Sequence, residues 1–121
     1  MEIETHLVND IRIAEVVSES KIIGNVQDGL DLLGNLYYQD FDRIIVHEKN
    51  IAPEFFDLKT GIAGEVLQKF STYRVRLAIV GDFSKYPGKS ITDFIFESNK
   101  LGHVNFVPSV AEAIVRLSKN G

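Results

Sequence analysis

Polar residues close both of the most apolar runs in this sequence. "DRIIVHE" ends on His47-Glu48, and "YRVRLAIVGD" runs through Gly81 to Asp82, with Ser84 and Lys85 just beyond. If both runs are strands of a parallel sheet, these groups lie past the carboxyl ends, where ligands of open α/β sheets bind at a topological switch point. Glu48 and Asp82, joined by Asp57, would then suit acid/base work or a hard cation such as Mg²⁺. Crowded carboxylates raise each other's pKa or share a divalent ion. The plainer reading has them solvate strand ends and cap turns, with Asp82 in an Asx turn before Phe83. Glu48, Asp82, Ser84 and Lys85 form the candidate ligand-binding set.

A second group sits in "NIAPEFFDLKTGIAGEVLQKF", Asn50 to Phe70. Thr60-Gly61 opens an apolar helical pattern, with Leu58, Ile62, Val66 and Phe70 on one stripe and Ala63 and Leu67 beside it, spaced for a helix of about four turns. A hydroxyl or carboxylate at a helix start satisfies free backbone amides, worth about 1 kcal/mol, and this is the default role of Asp57 and Thr60. The alternative is that Thr60 is a phosphoacceptor. A phosphate there would gain the helix dipole yet repel Glu54 and Asp57. One ring of Phe55-Phe56 must enter the core. The other is either buried too or an exposed anchor for a partner.

Other chemistries find no support in the residue types. The chain has no cysteine, which removes disulfides, thiolate metal sites and a cysteine nucleophile. His6, His47 and His103 show no ligand spacing, so no metal and no cofactor are expected. "GNVQDG" is neither a dinucleotide-binding nor a Walker glycine loop, and no serine occupies a nucleophile elbow. No reaction can be read from the chain, and a non-enzymatic role is the expectation. A net charge of -4, with no long basic run, argues against nonspecific binding to nucleic acid or anionic membrane. The acidic N-terminus has no apolar signal region, and no run approaches the roughly 20 apolar residues of a membrane span. A cytoplasmic location is the simplest expectation.

The elements that must position these residues follow from periodicity. "IRIAEVV" is rich in β-branched residues and reads as a strand, Ile11 to Val17, paired with "ETHLV" through a turn at Asn9-Asp10. "GNVQDGLDLLGNLYY" changes period. Val26, Leu30, Leu33 and Tyr37 mark a helix capped by Asn25 and weakened by Gly29 and Gly34. "DRIIVHE" and Val75 to Val80 are continuous apolar runs, the mark of strands buried on both faces. "SITD" reads as a capping box, Ser90 with Asp93, opening a helix closed near Gly102. "HVNFV" is a last strand, and Ser109 with Glu112 caps a final helix carrying Val110, Ala113, Ile114 and Leu117. The order β-β-α-β-α-β-α-β-α predicts one α/β domain over residues 1–121. Its sheet is mixed but mostly parallel, with about four or five strands and about four helices.

Four blocks, "NVQDGLDLLGN", "FFDLKTGIAGEVLQKF", "YRVRLAIVGDFSKY" and "SITDFIFESNK", resemble the bacterial family called domain of unknown function 4180 over nearly the whole chain. More distantly, the element order resembles the STAS fold of sulfate transporters and anti-sigma-factor antagonists. Those domains carry an Asp-Ser-Ser-Gly-Leu type motif whose serine is a kinase target. "DLKTGI" is similar, with Thr60-Gly61-Ile62 at the Ser-Gly-Leu portion, although Lys59 replaces the first serine and an extra residue separates Asp57. The resemblance implies a regulatory or protein-interaction module contacting an unidentified protein partner through Pro53 to Lys69, around Glu54, Phe55, Asp57, Lys59, Thr60 and Glu65. Homodimerisation through an edge strand or an exposed Phe is a further expectation. The competing expectation is a small-molecule or nucleotide binder, or a small enzyme, using the strand-end set.

Overall fold

The computed structural model describes residues 1–119. β1 (Glu2–Val8) and β2 (Ile11–Val17) form an antiparallel hairpin closed by Asn9 and Asp10, whose φ angles are 53° and 64°. Two consecutive left-handed residues are what a two-residue type I′ turn needs, and Asn and Asp tolerate that region best after glycine. β3 (Arg43–His47), β4 (Arg76–Val80) and β5 (Val104–Val107) then add in parallel, in the order β1-β2-β3-β4-β5. Four helices complete the domain: α1 (Val26–Tyr38), α2 (Ile62–Thr72), α3 (Lys89–Leu101) and α4 (Val110–Leu117). The α/β class, the mixed, mostly parallel sheet and the alternation expected from the sequence are all present.

Strand order decides the layers. Right-handed crossovers that keep stepping in one direction must all pass over the same face. α1, α2 and α3 therefore share one side, where Leu33, Leu36, Val66, Phe70 and Ile91 pack on Ile44, Leu77 and Ile79. α4 has no further strand to reach and folds back on the other side, setting Ala113 and Leu117 on Ile13, Ile45, Ala78 and Val80. The order contains no reversal. The switch-point crevice expected beyond His47 and Val80 therefore has no topological origin here, which corrects that reading.

Three local details also differ from expectation. α1 buries Gly29, Leu32, Leu33 and Leu36, leaving Tyr37 exposed and Val26 and Leu30 at the margin. The reason is Gly29. A Cβ there would stand 2.7 Å from Val66 Cγ2, so the glycine that weakens the helix also lets α1 press on α2. α2 starts at Ile62, after a 3₁₀ turn at Leu58–Thr60 and a left-handed Gly61 in the cap position. α3 is capped by Gly88, at φ 114°, so Ser90 falls inside the first turn and Asp93 pairs with Lys89 at 2.7 Å. The Asn25 and Ser109 caps form as expected, accepting from the amides of Asp28 (2.9 Å) and Glu112 (3.2 Å).

Candidate functional site

The strand-end residues are engaged internally. Glu48 opens the 3₁₀ turn Glu48–Asn50 directly after β3, and its side chain is buried. Oε1 stands 2.8 Å from Lys85 Nζ, and Oε2 accepts a hydrogen bond from the Tyr86 hydroxyl. Gly81, at the end of β4, makes this possible, because a Cβ there would lie 2.5 Å from Glu48 Cβ. Burial alone would raise the Glu48 pKa. The hydrogen bonds from Lys85 and Tyr86, with the charges of Lys85 and Lys21, outweigh it and hold the carboxyl below its ordinary value. The same contact works the other way on Tyr86: burial first, then the Glu48 carboxylate, pushes the phenol up. Asp82 forms the anticipated Asx turn, its Oδ1 accepting from Ser84 N at 3.0 Å and Ser84 Oγ at 2.6 Å. Those two bonds lower its pKa. Among the described residues, Glu48 and Asp82 share no hydrogen-bond or ion-pair partner, and Asp57 bonds to neither set.

The 53–61 segment is a surface loop built of two 3₁₀ turns and tied by its own side-chain hydrogen bonds. Phe55 and Phe56 are both buried and meet edge to face at 5.1 Å, and Phe56 stacks on Tyr86 at 4.4 Å. Phe55 is thus withdrawn from the contact surface proposed for it, because its ring fills the core under the loop. Thr60 is exposed and works as a latch. Its hydroxyl lies 2.8 Å from Glu54 O and 2.9 Å from Asp57 O, donating toward these carbonyls, and accepts from Ile62 N at 3.2 Å. Asp57 caps the 3₁₀ turn by accepting from Lys59 N. Glu54, Asp57, Lys59, Thr60 and Glu65 all remain exposed. Two depressions border this strip. A cleft of about 480 Å³ separates it from the loop before α3, between Phe56, Asp57, Lys59, Tyr86 and Lys89. A shallower, mostly apolar groove of about 400 Å³ runs between α1 and α2, over Val26, Leu30 and Gly64.

A third constellation escapes linear reading. Glu15 is buried on the α4 side of β2, and both of its oxygens meet imidazoles. His6 Nε2 lies 2.8 Å from Oε1, and His47 Nε2 lies 2.7 Å from Oε2. Glu4 faces Glu15 directly across the hairpin. Burial raises the Glu15 pKa, but the hydrogen bonds from His47 and His6 and their charge prevail and lower it. His6 and His47 lack ligand spacing along the chain because strand pairing, not sequence, joins them. One signal was available. Glu15 shares the parity of Ile11, Ile13 and Val17, so a charge interrupts an apolar strand face. The remaining histidine, His103, lies in the turn before β5, apart from this group.

The architecture defines a small α/β domain with three helices on one sheet face and a single helix on the other. The chain belongs to the family described as Domain of unknown function (DUF4180), whose model matches residues 8–117. No curated protein and no solved structure matches it. Among the described residues, no helix is long and apolar enough to cross a membrane.

Proposed function

We propose that this domain is a cytoplasmic, STAS-like, non-enzymatic regulatory module that docks a protein partner on the strip formed by Glu54, Asp57, Lys59, Thr60 and Glu65. The observation that carries the reading is the preorganised loop: an exposed polar strip fixed from below by Phe55 and Phe56 and from within by the Thr60 latch. A loop already ordered loses little conformational freedom on binding, a saving of roughly 0.5–1.5 kcal/mol per side chain otherwise immobilised. The apolar groove beside Gly64 gives such a surface a hydrophobic centre within a charged rim. Phosphorylation of Thr60 would remove the hydroxyl proton shared by two carbonyls and so release the loop as well as recharge it.

The test is site-specific photocrosslinking in the native cell, with the reactive group at Asp57, Glu65 or, as a control on α3, Glu97. Discrete adducts at the first two positions and none at Glu97 support the reading. The same pattern at all three, or none at any, refutes it. An adduct of twice the chain's mass would identify a second copy as the partner. The open outer edge of β1 offers a second route to self-association.

One observation favours a second reading. The cleft of about 480 Å³ is within the size range of small-molecule sites, and the Tyr86 ring and two lysines, Lys59 and Lys89, line it. Under this reading the ligand sits there rather than on Asp82 and Ser84. A thermal-shift screen with nucleotides and divalent cations decides it. A true ligand at a hundredfold excess over Kd stabilises by about 2.7 kcal/mol.

A further inference from the structure

The bare part of the sheet holds a cluster with the chemistry of a metal site. Period-two alternation puts Glu4, His6, Glu15 and His47 on the α4 face: Glu4 pairs with Glu15, His6 with Ile13, and Glu15 with Ile45, two residues before His47. α4 packs on β3, β4 and β5, so the hairpin side of this face stays open, with Glu4 exposed and His6 and His47 partly so. Ligand atoms of Glu4, His6 and Glu15 all lie within 4.8 Å of one another. Among the described residues, Glu15 has only the two imidazoles as ion-pair partners. With neutral imidazoles, the cluster carries two carboxylate charges, and among the described residues neither carboxylate forms an ion pair with Lys or Arg.

From this arrangement we infer that Glu4, His6 and Glu15 bind a divalent transition ion of the Zn²⁺ class, with His47 as the residue that positions Glu15. Ligand atoms about 2.1 Å from a tetrahedral ion stand about 3.4 Å apart. The 2.8 Å separation of His6 Nε2 and Glu15 Oε1 need open by only roughly 0.6 Å to admit one. Glu4, on the edge strand, closes the third side by rotating its side chain. Binding exchanges the Nε2 proton of His6 for the metal. A neutral ring moves its proton to Nδ1, and a cationic ring releases it to water. His47 keeps its hydrogen bond to Oε2, fixing the carboxylate so that Oε1 faces the ion, the role outer-shell partners commonly play. One imidazole with two carboxylates favours Zn²⁺, Co²⁺ or Mn²⁺ over Ca²⁺ and Mg²⁺, which prefer all-oxygen sites. Three protein ligands leave a fourth position free for water or a substrate group.

Isothermal titration of Zn²⁺ into the metal-free full chain tests this, with Co²⁺ absorption reporting geometry. The expected result is one saturable site, weakened more than about 100-fold in His6→Ala and about 10–100-fold in His47→Gln. Glu4→Gln should weaken it at least about tenfold, His103→Ala should leave it unchanged, and Mg²⁺ should give no heat. Glu4 is exposed, so Glu4→Gln keeps the test open even if a Glu15 variant fails to fold. NMR of the wild-type chain adds a second readout, since Zn²⁺ should shift the His6 ring protons before those of His103. Three results overturn the assignment: no saturable Zn²⁺ binding, equal affinity in wild type and His6→Ala, or loss in His6→Ala alone with Glu4→Gln and His47→Gln unaffected. The last marks a lone surface imidazole.

Discussion

Removing the Tyr86 hydroxyl should destabilise the domain more than removing its neighbour's charge. Glu48 is buried and bonded by both Tyr86 and Lys85, yet the two partners differ in exposure. The Lys85 side chain is 56% exposed, so its ion pair competes with water and contributes no more than about 1 kcal/mol. Tyr86 is partly buried and donates to an ionised group, a class of bond worth about 1.5–3 kcal/mol. Its ring also stacks on Phe56, and Tyr86→Phe preserves that contact. Tyr86→Phe should therefore cost about 1.5–3 kcal/mol at pH 7, and Lys85→Ala less than about 1 kcal/mol. For a chain of this length each kcal/mol lowers Tm by about 3–5 °C. The pH dependence fixes the origin. The folded pKa of Glu48 lies below its unfolded value, so its stabilisation is full above about pH 4.5 and is lost as pH falls through the folded pKa. Urea unfolding at pH 7 and at a pH low enough to protonate Glu48 in the folded chain should show the Tyr86→Phe cost shrinking at the lower pH. A cost that is the same at both, or a larger loss in Lys85→Ala, would refute the reasoning.

Gly29→Ala should cost about 1–3 kcal/mol despite alanine's better helix propensity, because the new methyl meets Val66 Cγ2 at 2.7 Å and Cγ1 at 2.9 Å. Urea unfolding of Gly29→Ala with and without Val66→Ala checks it. The double variant should lose less than the sum of the two single costs, and additivity would refute close helix contact. Thr60→Val should cost about 0.5–2 kcal/mol and Thr60→Ser close to nothing, since serine keeps the hydroxyl that spans Glu54 O and Asp57 O. Hydrogen exchange at the Ile62 amide, which Thr60 Oγ1 accepts, should quicken in the valine variant alone.

Legibility followed the range of the forces involved. The Asn9-Asp10 turn and the Ser109 cap were readable because each is decided within four residues. Ser90 has the same local pattern as Ser109 but fails as a cap. Gly88 takes the left-handed turn first and starts the helix one residue before Ser90. α1 offered overlapping apolar stripes, and which one turned inward depended on α2. Gly29 therefore looked like a weak point when it is the contact itself. The exposure of Glu54, Asp57, Lys59, Thr60 and Glu65 was legible from the chain. The burial of Phe55 was not, because it rests on Phe56 finding Tyr86 thirty residues further on.

The histidine cluster is the clearest case of a feature that pairing creates. Glu15 lies 9 residues from His6 and 32 from His47, separations that mean nothing until the hairpin register and the β2–β3 register are fixed. Topology then explains why a charge is tolerated there. Three crossovers that all pass over one face leave the other to α4 alone, and α4 is only eight residues long. A helix is about 10–12 Å across with its side chains, enough to cover roughly two strands spaced near 4.8 Å, and α4 packs on β3, β4 and β5. Beyond it, the outer strand β1 presents a wet face, with Glu2 and Glu4 exposed. A carboxylate at Glu15, at the border between the α4-covered core and that wet face, is shielded enough to order its imidazoles and open enough to exchange an ion with solvent. The same border also separates the two proposed surfaces. The Thr60 loop belongs to the α1–α2–α3 side and the histidine cluster to the α4 side, so substitutions in one should leave the other's readout intact.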